Sequence, residues 1–401
     1  MDKTSRSAVA AALFAGVVAG CVSAKMAPAL PVLKAELGLS LVQSGWLVSA
    51  FNGLAAAGAI FFGVFSDRLG ALRFCLWGLG CLAAGGAIGA LTHGPTPMIL
   101  SRLLEGVGFM AVIVSAPTLI TLAAAPAHRG VAFGMWSSYM PFGAGVVLTS
   151  SAVLLPLWGW RGLWVVYTVV VAACIALLLS QSSRYAGAAG GSRRSLASIR
   201  GALSQPAAWL LGLAFAMYAI QNNAIFVWLP TYLIEERGVS QSTAVLMTAL
   251  SISANCTGNV FGGWLIQRNF DRGKVIGVTF CLTAILFLLI FAAGLPDGVR
   301  YALVVLYNIV AGPIPASALS GAARYARSPS EVGTVQGLVV QITQAGIFIG
   351  PPITAIVVSA AGSWDAALWV LLGTGAIGLA TSVFITRAER RLFASAASPH
   401  R

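Results

Sequence analysis

The sequence predicts an all-α membrane protein with twelve transmembrane helices in two pseudo-symmetric six-helix bundles. Three observations carry that expectation. Of 401 residues, 58% are hydrophobic and only 9% are charged, against roughly 25% charged in a soluble domain. The apolar residues gather in runs long enough to cross a hydrocarbon layer of roughly 30 Å. The second half of the chain also echoes the first. The 45 glycines suit membrane helices, whose backbones approach closely at small residues. Ten-residue alternating segments of the outer-membrane barrel type are absent from the sequence.

Hydropathy, punctuated by Gly, Pro and charge, places the spans near 8–31, 43–65, 73–92, 97–124, 130–155, 162–180, 207–233, 242–266, 274–294, 299–323, 332–360 and 365–386. The longest polar interruption carries Arg184, Arg193, Arg194 and Arg200 among Ser, Gly and Ala. The expected organisation is therefore an N-terminal bundle over 1–180 and a basic central loop over 181–206. A C-terminal bundle over 207–391 and a short tail over 392–401 complete it.

Charge sets the expected orientation. With both termini in the cytoplasm, Lys3, Arg6, Arg68, Arg73, Arg129, the central-loop arginines, Arg268, Arg272, Lys274 and the basic tail lie inside. Only Lys34, Arg161, Arg237 and Arg300 fall outside. That asymmetry obeys the positive-inside rule and fits a multi-pass protein of a bacterial inner membrane. The net charge of +13 is spread through loops and forms no patch for nucleic acid. The six cysteines lie in apolar stretches and the three histidines at loops or the tail. Neither set has metal-ligand or disulfide spacing, so no cofactor or metal is expected. No nucleophile motif or phosphate loop appears, which argues against an enzyme. Lys3 and Arg6 before an apolar run resemble a signal peptide. The run is too long and lacks a small-residue cleavage site, so an uncleaved first helix is expected.

The halves repeat at an offset of about 200 residues. Leu30-Pro31 through Glu36, Gly38 and Ser40 matches Leu229-Pro230 through Glu236, Gly238 and Ser240. Gly63 and Arg68 match Gly263 and Arg268. Gly134 and Gly143 match Gly337 and Gly346, and Trp160 matches Trp364. Duplicated bundles with a site near the membrane midplane are the usual logic of secondary transporters.

Over essentially its full length the chain resembles the major facilitator superfamily. The loop after span two, Gly63 to Arg73, is similar to that family's G-x-x-x-D-R-x-G-x-[RK] pattern. Arg102-Leu103-Leu104-Glu105-Gly106-Val107-Gly108 is similar to its R-x-x-[QE]-G-x-G pattern. Trp160-Arg161 opens span six, as in many members. Two departures matter. The second copy of the loop has Gln267 where Asp67 stands in the first. The antiporter pattern G-x8-G-x3-G-P is incomplete in span five, with Val147-Leu148 in place of Gly-Pro. It is complete in span eleven, as Gly337, Gly346, Gly350 and Pro351. The resemblance therefore does not support a drug–proton antiporter.

The resemblance implies a gating latch of Gly63, Asp67, Arg68, Gly70 and Arg73, with Asp67 at the N-terminal end of a helix or paired with Arg129; the bland reading is an ordinary charged loop. Arg102 and Glu105, three apart, share a helix face. They form either a self-neutralised structural pair or a proton-coupling pair with Glu105 as carrier. Lys25 is a cation inside span one, costing about 2.5–3.5 kcal/mol on insertion scales. Either it faces a substrate cavity or its long stem snorkels to the nearby outer interface. The repeat sets it level with Ala224 or Ile225, next to Gln221, Asn222 and Asn223 of span seven. An ammonium with amide donors suits a carboxylate or other small oxyanion. Asn52 and Asn308 are further binding candidates, and Asn255, Asn259, Gln336, Gln341 and Gln344 read as interhelical glue.

The expected function is alternating-access transport of a small solute, an organic anion, with a proton as coupling ion. The expected partners are that solute, protons and membrane lipids, with the protein a monomer and no nucleic acid bound. The alternative is an exporter of amphipathic drugs or siderophore-like metabolites.

Overall fold

The computed structural model describes residues 4–125, 128, 132, 135–136, 139–185, 204–268, 270–325 and 332–396. The described residues are helical with no strand. Ten helical stretches among them are long and apolar enough to cross a membrane. The chain divides into two compact units, Met1–Arg194 with Val227–Ala249, and Ser195–Phe226 with Leu250–Arg401.

The first unit contains α1 (Arg6–Ala24), α2 (Met26–Glu36), α3 (Leu41–Leu69), α4 (Ala71–Ala90), α5 (Pro95–Ala123) and α6 (Tyr139–Ser180). The expected first span is thus two helices meeting at Lys25. Pro28 and Pro31 have no backbone N–H, so the carbonyls of Ala24 and Ala27 lose their helical donors. Lys25 itself keeps helical angles and donates its N–H to Cys21 O at 3.1 Å, so the junction is local. Ser40 starts α3 with a capping box: its Oγ accepts from Gln43 N–H, and Gln43 Oε1 accepts from Ser40 N–H. Pro95 opens α5, at a position where a missing N–H costs nothing.

The expected fifth and sixth spans form one continuous run of 42 residues, α6. A straight helix of that length would reach about 63 Å, twice the hydrocarbon thickness. It does not run straight. Gly159 breaks it at φ +63°, ψ −173°, a region essentially reserved for glycine. The Ser150 and Tyr167 hydroxyls lie 2.7 Å apart across that break, so the two limbs fold back on each other.

Small residues set the packing. Ala8, Ala11, Ala12, Ala15, Val18, Ala19 and Val22 form one buried stripe along α1 at helical spacing. It packs in one core with Cys75 and Leu79 of α4, Val112 and Leu119 of α5, and Val171, Cys174 and Leu178 of α6. Gly143 of α6 sits against α1 so closely that a Cβ would lie 2.8 Å from Val17 O. Gly106 of α5 abuts the Phe51 carbonyl of α3, leaving no room for a side chain.

The second unit contains most of α7 (Pro206–Glu235) and the end of α8 (Gln241–Ser253). It continues through α9 (Asn255–Gln267), α10 (Arg272–Ile290), α11 (Asp297–Ala311), α12 (Pro313–Tyr325), α13 (Val332–Ala361) and α14 (Ala367–Ala396). The expected eighth and tenth spans are each interrupted, at Ala254 and Gly312. Pro313 and Pro315 account for the second break. Ile309 O has a proline four residues ahead and accepts instead from Gly312 N–H at 3.3 Å, while abutting Gly258 of α9. Gly346 of α13 lies against Ala216 of α7, as Gly143 lies against α1. The matched pair Gly143 and Gly346 therefore makes the same type of helix contact within each unit.

Gly159→Ala is expected to destabilise the protein by about 1–3 kcal/mol through backbone strain. Gly145→Ala in the same helix, where a Cβ meets open space, is expected to be neutral or mildly stabilising. Thermal unfolding in detergent distinguishes the two.

Candidate functional site

Three helices bring the charged residues of the first unit together. Lys25 stands at the α1–α2 junction, and Arg102 and Glu105 lie one turn apart on α5. Lys25 is 1% exposed, Arg102 1% and Glu105 0%. Lys25 Nζ donates to Glu105 Oε1 at 2.6 Å, and Arg102 Nη1 donates to Glu105 Oε2. Each carboxylate oxygen thus holds one cation. Arg102 also donates to the carbonyls of Val22, at 3.3 Å, and Ser23, at 3.5 Å, next to the point where prolines interrupt the helix. The lysine does not snorkel: its ammonium is turned inward.

Aromatic rings complete the surroundings. Lys25 Nζ lies 4.4 Å from the centroid of Trp164 on α6, and the Arg102 guanidinium 4.4 Å from that of Phe51 on α3. Such cation–π contacts are worth about 2 kcal/mol when desolvated. Gly85, Gly86 and Gly89 of α4 let the cluster close. A Cβ on Gly85 would lie 2.6 Å from Glu105 Cγ, one on Gly86 would collide with Thr168 Oγ1, and one on Gly89 would lie 2.5 Å from Trp164 Nε1. Two buried N–H donors here, Arg102 Nε and Trp164 Nε1, have no partner among the described residues. The cluster therefore holds two cations to one carboxylate, with donor capacity to spare.

In the second unit the amides form their own network. Asn222 Nδ2 donates to Asn308 Oδ1 at 3.4 Å, and Asn308 is fully buried. Asn223 instead donates to Ala219 O of its own helix at 3.0 Å. Asn255 Nδ2 donates to Asn308 O at 2.8 Å, Asn259 Nδ2 to Asn255 Oδ1 at 3.0 Å, and Tyr218 Oη to Asn255 Oδ1 at 3.3 Å. Asn255 thus links α9 to α11 as interhelical glue, whereas Asn259 bonds within its own helix. The roles of Phe51 and Trp164 left no signal, because apolar helices carry many aromatics. Asn52 is half-buried beside Phe51 on α3.

At the loop motif, Gly70 adopts φ +84° between α3 and α4, and Arg68 and Arg73 are exposed. Gly63 and Asp67 lie within α3, but their side-chain positions fall outside the described residues, as does Arg129 altogether. At the other end of the unit, Glu36 accepts from Trp160 Nε1 at 2.6 Å and from Arg161, and Arg161 Nη2 donates to Thr92 O at 3.0 Å. Trp160-Arg161 thus ties the α2 end and the α4–α5 turn to the α6 fold-back. No group of three metal-ligating side chains occurs among the described residues.

A family model for the Major Facilitator Superfamily matches residues 12–351 and 240–400. The chain belongs to that superfamily, whose relatives and structural neighbours are transporters rather than enzymes. A structure of a bacterial homologue of the human lysosomal transporter Spinster, inward-facing and unoccupied, superimposes with a TM-score of 0.81 at 16% identity. It covers 97% of this chain and 98% of that one. The putative niacin/nicotinamide transporter NiaP of Bacillus subtilis is 23% identical over 244 residues, 60% of this chain and 61% of that protein. The hexuronate transporter of the same organism is 23% identical over 402 residues, 94% of this chain and 92% of that protein. The match thus spans about three fifths of the first of these two relatives and nearly all of the second. The protein is a multi-pass membrane protein of this fold.

The charge imbalance yields a prediction. Lys25→Met leaves one arginine on one carboxylate, whereas Glu105→Gln leaves two buried cations without a counter-charge. Glu105→Gln is expected to be the more destabilising, by about 3–5 kcal/mol, and Lys25→Met to melt near the wild type. Melting curves in detergent test the order.

Proposed function

We propose that the protein is a secondary transporter of a small organic anion, coupled to protons and working by alternating access. One observation carries the reading: a single buried carboxylate shared by two buried cations. A proton on Glu105 would leave both cations uncompensated in an apolar interior, and a bound carboxylate would restore the balance. Proton and anion would then favour each other's binding, and such coupling is reciprocal between sites. A monoanion carried with one proton leaves the buried charge as it was before loading. Lys25 and Arg102 are assigned to the anion and Glu105 to the proton. Asn52, on α3 of the same unit, is assigned to the uncharged parts of the solute.

The hexuronate relative supports a carboxylate, since a hexuronate is one. The niacin/nicotinamide relative supports a small polar ring. The basic residues support cytoplasmic termini in a bacterial inner membrane. The Gly63–Arg73 loop, with Arg129, is assigned to gating.

Proteoliposome counterflow with a panel of radiolabelled carboxylates tests the class. At least one is expected to exchange and, under an imposed gradient, to alkalinise the external medium as it enters. Export of lipophilic cations without carboxylate exchange would overturn the reading in favour of an exporter. Lys25→Met is expected to reduce exchange of the best carboxylate at least about tenfold, the value of one charge-assisted contact of roughly 1.5–3 kcal/mol. Wild-type exchange by a well-folded Lys25→Met would remove the lysine from the site.

A further inference from the structure

We propose that the first unit holds a site for an anionic phospholipid, in a cavity at the start of α1. The cavity is about 370 Å³. Arg6, Val9, Ala10 and Leu13 line one side, and His128 and Met135 lie on the other. Residues 6, 9, 10 and 13 share one face of α1, next to the alanine stripe that enters the core. That face carries a cation at its first residue and only apolar atoms beyond. Arg6 is exposed and makes no ion pair among the described residues.

The polar end is built and anchored. Ser5 N–H donates to Ala123 O at 2.9 Å, fixing the start of α1 to the end of α5. Thr4 Oγ1 accepts from Ala125 N–H at 3.0 Å and lies 2.9 Å from His128 Nδ1. The Thr4 hydroxyl and His128 Nδ1 share that contact, with either atom able to donate. A guanidinium pairs with phosphate oxygens through two parallel N–H bonds.

Chemistry chooses between a lipid and a soluble phosphate. From Arg6 to Leu13 the face runs about 10 Å along the helix, with Val9 and Leu13 half-buried and Met135 59% exposed. A soluble phosphate has no use for that wall, whereas an acyl chain fits it. Arg6 also opens the Arg6–Glu36 stretch that is long enough to span the membrane. That places it where headgroups lie.

Native mass spectrometry of the full-length protein, with equal phosphatidylglycerol and phosphatidylcholine in the detergent, tests the site. The wild type is expected to retain phosphatidylglycerol in preference. Arg6→Gln is expected to lower that preference about fivefold, the worth of one basic residue against an anionic lipid surface, and Arg6→Lys to keep most of it. Arg390→Gln, which removes an exposed charge on α14, is expected to change nothing. Equal retention of the two lipids by the wild type would overturn the proposal, and so would equal losses in Arg6→Gln and Arg390→Gln. Displacement of phosphatidylglycerol by millimolar glycerol 3-phosphate would overturn the lipid in favour of a soluble phosphate. Carboxylate transport does not enter these readouts, so the site stands or falls apart from the proposed function.

Discussion

One carboxylate in an apolar interior governs the first unit. Glu105 is fully buried and gives one oxygen to Lys25 and the other to Arg102. In a hydrocarbon surrounding none of these charges is stable alone. The helices that carry them must therefore stay in register with one another. Lys25 sits at the junction of α1 and α2, where prolines interrupt the backbone ladder, and Arg102 donates to carbonyls beside it. The same arginine thus serves the ion cluster and the weak point of the helix.

Glycine makes that register attainable. Gly85, Gly86 and Gly89 bring α4 against Glu105, Thr168 and Trp164, and Gly106 brings α5 onto the α3 backbone beside Phe51. Without these approaches the ring of Trp164 could not lie over the ammonium, nor Phe51 over the guanidinium. Close packing of this kind, rather than exclusion from water, is what holds helices together in lipid. The second unit uses it again at Gly258, Gly346 and Gly350, but places uncharged amides where the first unit places ions.

The spans were legible because a membrane helix must satisfy its own backbone, and so appears as a long apolar run. Their interruptions were less so. The prolines at 28 and 31 mark the α1–α2 junction, and Pro313 marks the α11–α12 junction, but nothing local announces the break at Ala254. The fold-back of α6 hangs on Gly159, one of 45 glycines, and only its positive φ sets it apart. Asn222 and Asn223 look alike in sequence, yet one reaches Asn308 and the other its own helix.

The sequence by itself determined the class of fold, the duplication and the identity of the three buried charges, because hydropathy, repeat spacing and the cost of a charge in lipid are one-dimensional signals. It left Lys25 between a cavity and the interface, and Glu105 between a structural pair with Arg102 and a proton carrier. Only the tertiary structure decided that Lys25 turns inward to Glu105 and that the carboxylate is shared. The pair is 80 positions apart, and no local pattern encodes which helix faces which. That choice is made by the glycine contacts and aromatic rings that close around the three charges.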